Sequence, residues 1–439
     1  MSAVLRLGAA ALVALGLGVP ARAAIEITEV TSPGGIKAWL TEDHSIPMIT
    51  LESSFLGGAV LDPAGQEGAC ALMTSLLAEG AGGLDSTAFA ERREDLATRF
   101  GFDCGRDDVA VSLTMLSENS AASVDLLRAA LVEPDFDPSA IERVRAQLVA
   151  GIEADAADPA SIAGRAFSAL AYPGHPYARP SQGTVDSVKA LDRAAILAAH
   201  DAVLARDRLR VAVVGDITPE ALAPMLDRLF GALPATGPDL PPVAEPKLPG
   251  GLRVIDFDVP QSQMIFGQHG LPRDDPDFVP AFVMDYILGG GGLGSRLSTE
   301  VREKRGLTYG IGTMLVPNDF GALYLGHFGT ANATAGMAID LVRAEWTRMA
   351  EGVTQEELDA AKQFLTGAYP LKFSDNARIA QQLLGIQVAG LGIDYVNARN
   401  GLVEAVTRED IARVAKRLLD TDELTFVVVG RPEGLPAGD

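Results

Sequence analysis

A pattern of about thirty residues occurs twice in this chain, and a repeat of that length restricts the possible folds more than any compositional value. The first copy, SVKALDRAAILAAHDAVLARDRLRVAVVGD, ends at Asp216, and the second, GLVEAVTREDIARVAKRLLDTDELTFVVVGR, ends at Arg431. Val188, Ile196, Val214 and Gly215 register with Val403, Ile411, Val429 and Gly430 at one constant offset and without a gap. Each copy reads as a helix opened by a capping residue, Asp192 or Thr407, and then a β-branched run closing on glycine. This is the mark of an internal duplication, hence of two halves built alike. Between them lies LPATGPDLPPVAEPKLPGG, residues 233–251. Its prolines and glycines exclude helix and central strand and leave an extended linker. At 439 residues the chain also exceeds one ordinary core. The expected layout is a leader at 1–23, an N-terminal domain at 24–232, the linker at 233–251 and a C-terminal domain at 252–439.

Within the halves, Met48–Phe55, Val109–Leu116, Gln263–Gln268 and Ala322–Phe328 read as strands. Ser86–Arg99, Pro138–Ala154, Asp277–Ile287 and Ala335–Glu351 read as helices. Helices outnumber strands and some strands come in adjacent pairs, so the class is α+β, two homologous α/β-sandwich domains rather than a doubly wound sheet.

The first residues read as a secretory leader. Arg6 gives the positive start, Leu7 to Val19 the apolar run, and Ala21-Arg22-Ala23 a cleavage site. The run is too short for the ~20 residues of a membrane span. The mature protein is therefore expected near Ala24, outside the cytoplasm and without a membrane anchor. A net charge of −22 argues against nucleic acid or anionic lipid as partner. Two cysteines are present, Cys70 and Cys104. An oxidising compartment permits a disulfide, but Cys70 lies in an apolar helical pattern that suits a buried free thiol, so the pairing stays open.

GSRLSTEVREKRGLTYGIG, residues 294–312, follows the glycine-only run 289–292 and puts Arg302 and Tyr309 seven residues apart. Two helical turns, or a helix ending near Gly306 with Tyr309 just beyond it, keep a cation and a phenol within reach of one target. The glycine run has no Lys-Ser/Thr ending of a phosphate-binding loop and reads as a flexible lead-in. GQEGACALMTSLLAEG, residues 65–80, reads as an amphipathic helix with apolar residues at 69, 72, 73, 76 and 77.

Together with the loop GHPYARPSQGT, these segments resemble the pitrilysin/insulinase family of zinc peptidases over nearly the whole mature chain. The resemblance implies an Arg/Tyr pair, here Arg302 and Tyr309, that binds peptide carbonyls and donates a hydrogen bond to an oxyanion. It also implies zinc held by H-x-x-E-H on the helix at 65–80 and by a glutamate on a later helix. In this chain the two histidine positions are Ala71 and Ser75, the catalytic glutamate position is Thr74, and the third ligand position is Gly151. Glu153 is a poor replacement, since two residues along a helix turn it by ~200°. The five histidines, His44, His175, His200, His269 and His327, contain no i, i+3 or i, i+4 pair. His175 is read as a structural hydrogen-bonding residue and His44 as part of a turn before the first strand.

No metal or cofactor is thus expected in this chain itself. In the bacterial two-chain type of this family, one chain carries zinc and the other keeps only arginine and tyrosine. The expectation is a periplasmic or secreted non-catalytic subunit of a heterodimeric zinc peptidase. It would bind peptide and supply Arg302 and Tyr309 to a zinc-bearing homologous partner. The alternative is a non-proteolytic scaffold or peptide-binding homologue, including a homodimer.

Overall fold

The computed structural model describes residues 25–435, so the leader read at 1–23 lies outside the described residues. The class is α+β. A six-stranded sheet contains β1 (Thr28–Thr31), β2 (Lys37–Glu42), β3 (Met48–Leu56), β4 (Arg99–Cys104), β5 (Asp108–Leu116) and β6 (Leu209–Gly215), in the order β1-β2-β6-β3-β5-β4. A five-stranded sheet contains β7 (Gly251–Asp256), β8 (Gln261–His269), β9 (Ile311–Asn318), β10 (Gly321–Ala331) and β11 (Thr425–Gly430), in the order β9-β10-β8-β11-β7.

The strand that ends each copy of the repeat takes the same place in its sheet. β6 pairs parallel with β2 and antiparallel with β3; β11 pairs parallel with β7 and antiparallel with β8. Both close on a glycine with positive φ, Gly215 at 137° and Gly430 at 150°. A Cβ on Gly215 would lie 2.1 Å from the Met48 carbonyl oxygen, so only glycine fits there. The helices before these strands are capped as the sequence suggests. Asp192 accepts from Ala195 N, and Thr407 forms a capping box with Asp410.

Six helices position the regions of interest: α1 (Ala69–Leu76), α2 (Pro138–Ala156), α3 (Pro159–Ala171), α4 (Phe278–Asp285), α5 (Gln355–Ala368) and α6 (Asn376–Val388), with α7 (Tyr395–Ala405) behind them. Each sheet has its own helices on one face, and on the other face it takes a single helix from the opposite half. Phe167, Ala163 and Ala171 of α3 pack with Val427 and Val429 of β11. Ala380, Leu383 and Leu384 of α6 pack with Ala212 and Val214 of β6 and with Trp39. This two-sided burial explains why both repeat strands are continuously apolar rather than alternating. Residues 233–250 carry no helix or strand, and Ala244 N and Lys247 N donate to Phe320 O and Ala171 O along the seam. Among the described residues no helix is long and apolar enough to cross a membrane.

Several sequence expectations need correction. Cys70 and Cys104 are joined in a disulfide, so the free-thiol reading of Cys70 is wrong. The hydrophobic pattern of α1 correctly signalled burial but carried no information about a partner on a strand 34 residues away. The helix expected at Ser86–Arg99 stops at Asp95, because Ala97 turns left-handed (φ 48°) and feeds β4. The helix expected from Asp277 leaves α-geometry after Asp285 and widens into a π-turn, closed by Gly291 N donating to Tyr286 O.

Candidate functional site

The segment bearing Arg302 begins in close packing, not in a flexible lead-in. A Cβ on Gly289 would lie 2.4 Å from Thr313 Oγ1, and one on Gly291 would lie 2.5 Å from Tyr286 O. Gly289, Gly290 and Gly291 are there because neighbouring atoms leave no room for a side chain, whereas Gly292 has open space but a positive φ of 61°. After them, Leu297 and Val301 anchor the helix Ser298–Glu303 in the second core. The helix ends as Gly306 N donates to Arg302 O and Leu307 N to Val301 O, with Gly306 at φ 63°. This left-handed stop is a common helix terminator. Tyr309 therefore sits just past the helix, the second of the two arrangements the spacing allowed.

The backbone around Tyr309 is fixed while its ring is free. Buried Thr308 holds the turn, with its hydroxyl 2.7 Å from Gly329 O and accepting from Gly310 N. Tyr309 itself is 94% exposed. Arg302 Cζ lies 5.8 Å from the centre of the Tyr309 ring, a cation–π distance. The other cations of the segment are engaged. Glu300 accepts from Lys304 (2.7 Å) and Arg305 (2.8 Å), and these two hold its carboxyl below its ordinary pKa. Arg296 makes a two-pronged pair with Glu357 on α5 at 2.7 and 2.8 Å. Arg302 has no carboxylate within ion-pair distance among the described residues. The sequence reading missed the supports, although Glu300 and Lys304 stand at the i, i+4 spacing that favours an ion pair.

The zinc-ligand positions are gathered on α1 and α2, in a core separate from the Arg302 segment. They do not fit a metal. Ala71 and Gly151 have no donor atom. The Thr74 hydroxyl is buried and donates to Cys70 O at 3.1 Å, and the Ser75 hydroxyl donates to Ala71 O at 2.8 Å. Both are turned back onto the helix. Nothing lies within 4 Å of where a Cβ on Gly151 would be, so no larger ligand residue was excluded for want of space. Among the described residues no three His, Cys, Asp or Glu side chains converge as a metal-binding group. The two helices are tied instead by Arg143 on α2, paired to both oxygens of Glu79 at 3.1 and 2.7 Å. The start of α1 is set by Asp62, whose carboxylate accepts from Gly68 N and Cys70 N. Burial pushes the Asp62 carboxyl up to about 7 although these N–H groups pull the other way.

The two singled-out histidines have structural partners. His175 accepts from Tyr177 N at Nδ1 and donates from Nε2 to Pro242 O, so one neutral tautomer satisfies both contacts. His44 lies in the turn before β3 between Asp216 and Glu42, whose hydrogen bonds raise its pKa. Nothing in the residue pattern signals the contact beside His175 that joins the halves. Fully buried Tyr177 donates to Asp107 Oδ2 (2.7 Å) and accepts from Phe320 N (2.9 Å), while the same Asp107 oxygen accepts from Asp319 N (3.0 Å).

Comparison with known proteins agrees with this geometry. Residues 190–365 match the family model described as the peptidase M16 inactive domain. A solved structure of a peptidase M16 inactive domain from Pseudomonas fluorescens superposes with a TM-score of 0.87 at 29% identity, covering 94% of this chain and 100% of that one. A Helicobacter pylori protein described as a non-peptidase homolog is 25% identical over 390 residues, 88% of this chain and 90% of its own length. A probable mitochondrial-processing peptidase subunit beta from Schizosaccharomyces pombe is 26% identical over 335 residues, 71% of each chain. The model matching residues 190–365, the shared fold and the lack of strong metal-ligating side chains at 71, 74, 75 and 151 agree: the chain is similar to the inactive, non-peptidase members of the pitrilysin-like M16 family.

Proposed function

We propose that this chain is the non-catalytic subunit of a two-chain zinc peptidase, and that it lends Arg302 and Tyr309 to the active site of a zinc-bearing homologue. The observation that carries the reading is Tyr309, 94% exposed on a rigid turn with Arg302 beside it and, among the described residues, no acid engaging the arginine. An exposed phenol beside a guanidinium offers aimed N–H and O–H donors, which suits capture of a peptide carbonyl. In this role Tyr309 Oη donates to the oxyanion as the carbonyl becomes tetrahedral, and Arg302 holds the substrate backbone. The zinc and the water it activates would come from the partner, since positions 71, 74, 75 and 151 on α1 and α2 carry no strong metal-ligating side chain. A location outside the cytoplasm is part of the proposal. It is supported by the leader-like start of the sequence and by the Cys70–Cys104 disulfide, which an oxidising compartment preserves.

The test is co-expression with a homologue that has an intact H-x-x-E-H helix. The reading requires a stable complex that cleaves peptides, and a loss of kcat/KM when Arg302→Ala or Tyr309→Phe is introduced here. The scaffold alternative gives the opposite result: both substitutions leave function unchanged, or the chain pairs only with itself.

A further inference from the structure

A second site lies away from the Arg302–Tyr309 segment. A cavity of ~400 Å³ opens between α4, α6, α7 and the edge strand β9, within the usual size range for small-molecule sites. Two arginines line it, each set against aromatic rings rather than acids. Arg399 is only 8% exposed; its guanidinium lies 4.6 Å from the Tyr369 ring and 5.5 Å from that of Phe282. Its Nη1 donates to Leu365 O at 2.7 Å. Arg273 lies 4.3 Å from the Phe278 ring and donates to Tyr395 Oη at 2.8 Å. Among the described residues neither arginine has a carboxylate within ion-pair distance, in a chain with 58 acidic and 36 basic residues.

Three further features bear on the cavity. The Tyr369 hydroxyl is buried and has no hydrogen-bond partner among the described residues. Exposed Lys372 adds a third cation to the lining. Asp285 also lines the cavity, but its Oδ1 takes the Thr313 hydroxyl at 2.6 Å and burial pushes its carboxyl up to about 6. Its charge is therefore poorly placed to answer the arginines. Burial likewise pulls Arg399 below its ordinary pKa, as expected of a cation without a counter-charge. Buried arginine is normally paired, and arginine matches a carboxylate with two parallel N–H donors.

We propose that this cavity binds a small amphipathic carboxylate, with its anionic group between Arg273 and Arg399 and its apolar ring or chain against Phe278, Phe282 and Tyr369. A free hydroxyl on Tyr369 supplies one more donor to the same group. A phosphate is a worse fit, because its second charge would have to be desolvated among aromatic rings. This site stands independently of the role proposed for Tyr309.

The experiment is titration calorimetry of the full chain at pH 7 with a panel of straight-chain carboxylates and 3-phenylpropionate, alongside 3-phenylpropanol and inorganic phosphate. The expected result is saturable one-to-one binding of at least one carboxylate. The neutral alcohol and phosphate should bind at least ~10-fold more weakly. Arg399 is too buried to serve as the first variant, so Arg273→Gln and Tyr369→Phe are used, with circular dichroism and urea unfolding to verify the fold. Arg273→Gln should weaken binding by ~10-fold or more and Tyr369→Phe by several-fold. No saturable binding across the panel, equal binding of acid and alcohol, or unchanged affinity in folded Arg273→Gln would each overturn the proposal.

Discussion

Replacing Glu357 with glutamine should destabilise the protein through the clamp that holds the Arg302 segment. Glu357 occupies the third position of α5, where Thr354 caps the helix and its N–H donates to Glu357 Oε2 at 2.8 Å. The same carboxylate takes Nε and Nη2 of Arg296. Hydrogen bonding to Arg296 is the main reason its pKa falls from 4.5 to about 2. A drop of that size corresponds to ~3 kcal/mol in favour of the folded state when the group is ionised. The side chain is 30% exposed, so solvent screening reduces the figure to ~2 kcal/mol. Arg296 is 8% exposed at its side chain and would keep Gly352 O and one neutral amide oxygen of the glutamine, but no counter-charge. Loss of a counter-charge from a cation this buried adds to the penalty.

The pH dependence follows from the direction of the shift. Glu357 has a folded pKa below its unfolded one, so its stabilisation is complete above about 4.5 and is lost as pH falls toward about 2. Urea unfolding of wild type and Glu357→Gln should differ by ~2–3 kcal/mol at pH 7 and by less than about half of that at pH 3. A difference below ~0.5 kcal/mol at pH 7, or one that does not change with pH, would refute the argument.

Three other outcomes are expected. Cys70→Ser with Cys104→Ser, or reduction of the native chain, should lower unfolding free energy by up to ~4 kcal/mol, from the 34-residue separation the disulfide closes, as read from urea curves with and without reductant. Tyr177→Phe should cost about 2–3 kcal/mol, because Asp107 loses a donor and the buried Phe320 N–H loses its acceptor; differential scanning calorimetry measures it. Gly215→Ala should cost more than ~3 kcal/mol or prevent folding, through its positive φ and a clash with the Met48 carbonyl, whereas Gly151→Ala at an exposed position of α2 should be stabilising by up to ~1 kcal/mol.

Much of the fold was legible because local chemistry and global packing agree along the repeats. Val211 to Gly215 and Phe426 to Gly430 were readable as strands, and Asp192 and Thr407 as caps, since each feature depends on a few neighbouring residues. The position of Tyr309 just past a helix was also within reach, because Gly306 is the natural stop. What could not be read is non-local. Amphipathic periodicity shows that α3 and α6 bury a face, but not that each covers the sheet of the opposite half. Nor does it reveal that the glycines at 289–291 are packed against Thr313, Asp285 and Tyr286. The Cys70–Cys104 bond, the Asp107–Tyr177–Phe320 contact and the Arg273–Arg399 cavity all join residues brought close only by the tertiary fold. The residue types at positions 71, 74, 75 and 151 were readable directly, and the structure adds that the Thr74 and Ser75 hydroxyls are engaged by their own helix.

The central claim is that Tyr309 works in another chain's active site. The direct measurement is kcat/KM for a peptide substrate, using the purified complex of this chain with a homologue bearing an intact zinc helix, before and after Tyr309→Phe. Size-exclusion chromatography shows whether the complex is retained. Removal of one oxyanion donor should lower kcat/KM by ~10²–10³-fold, mostly in kcat, with the complex intact. An intact complex whose kcat/KM stays within about twofold of wild type would contradict the account.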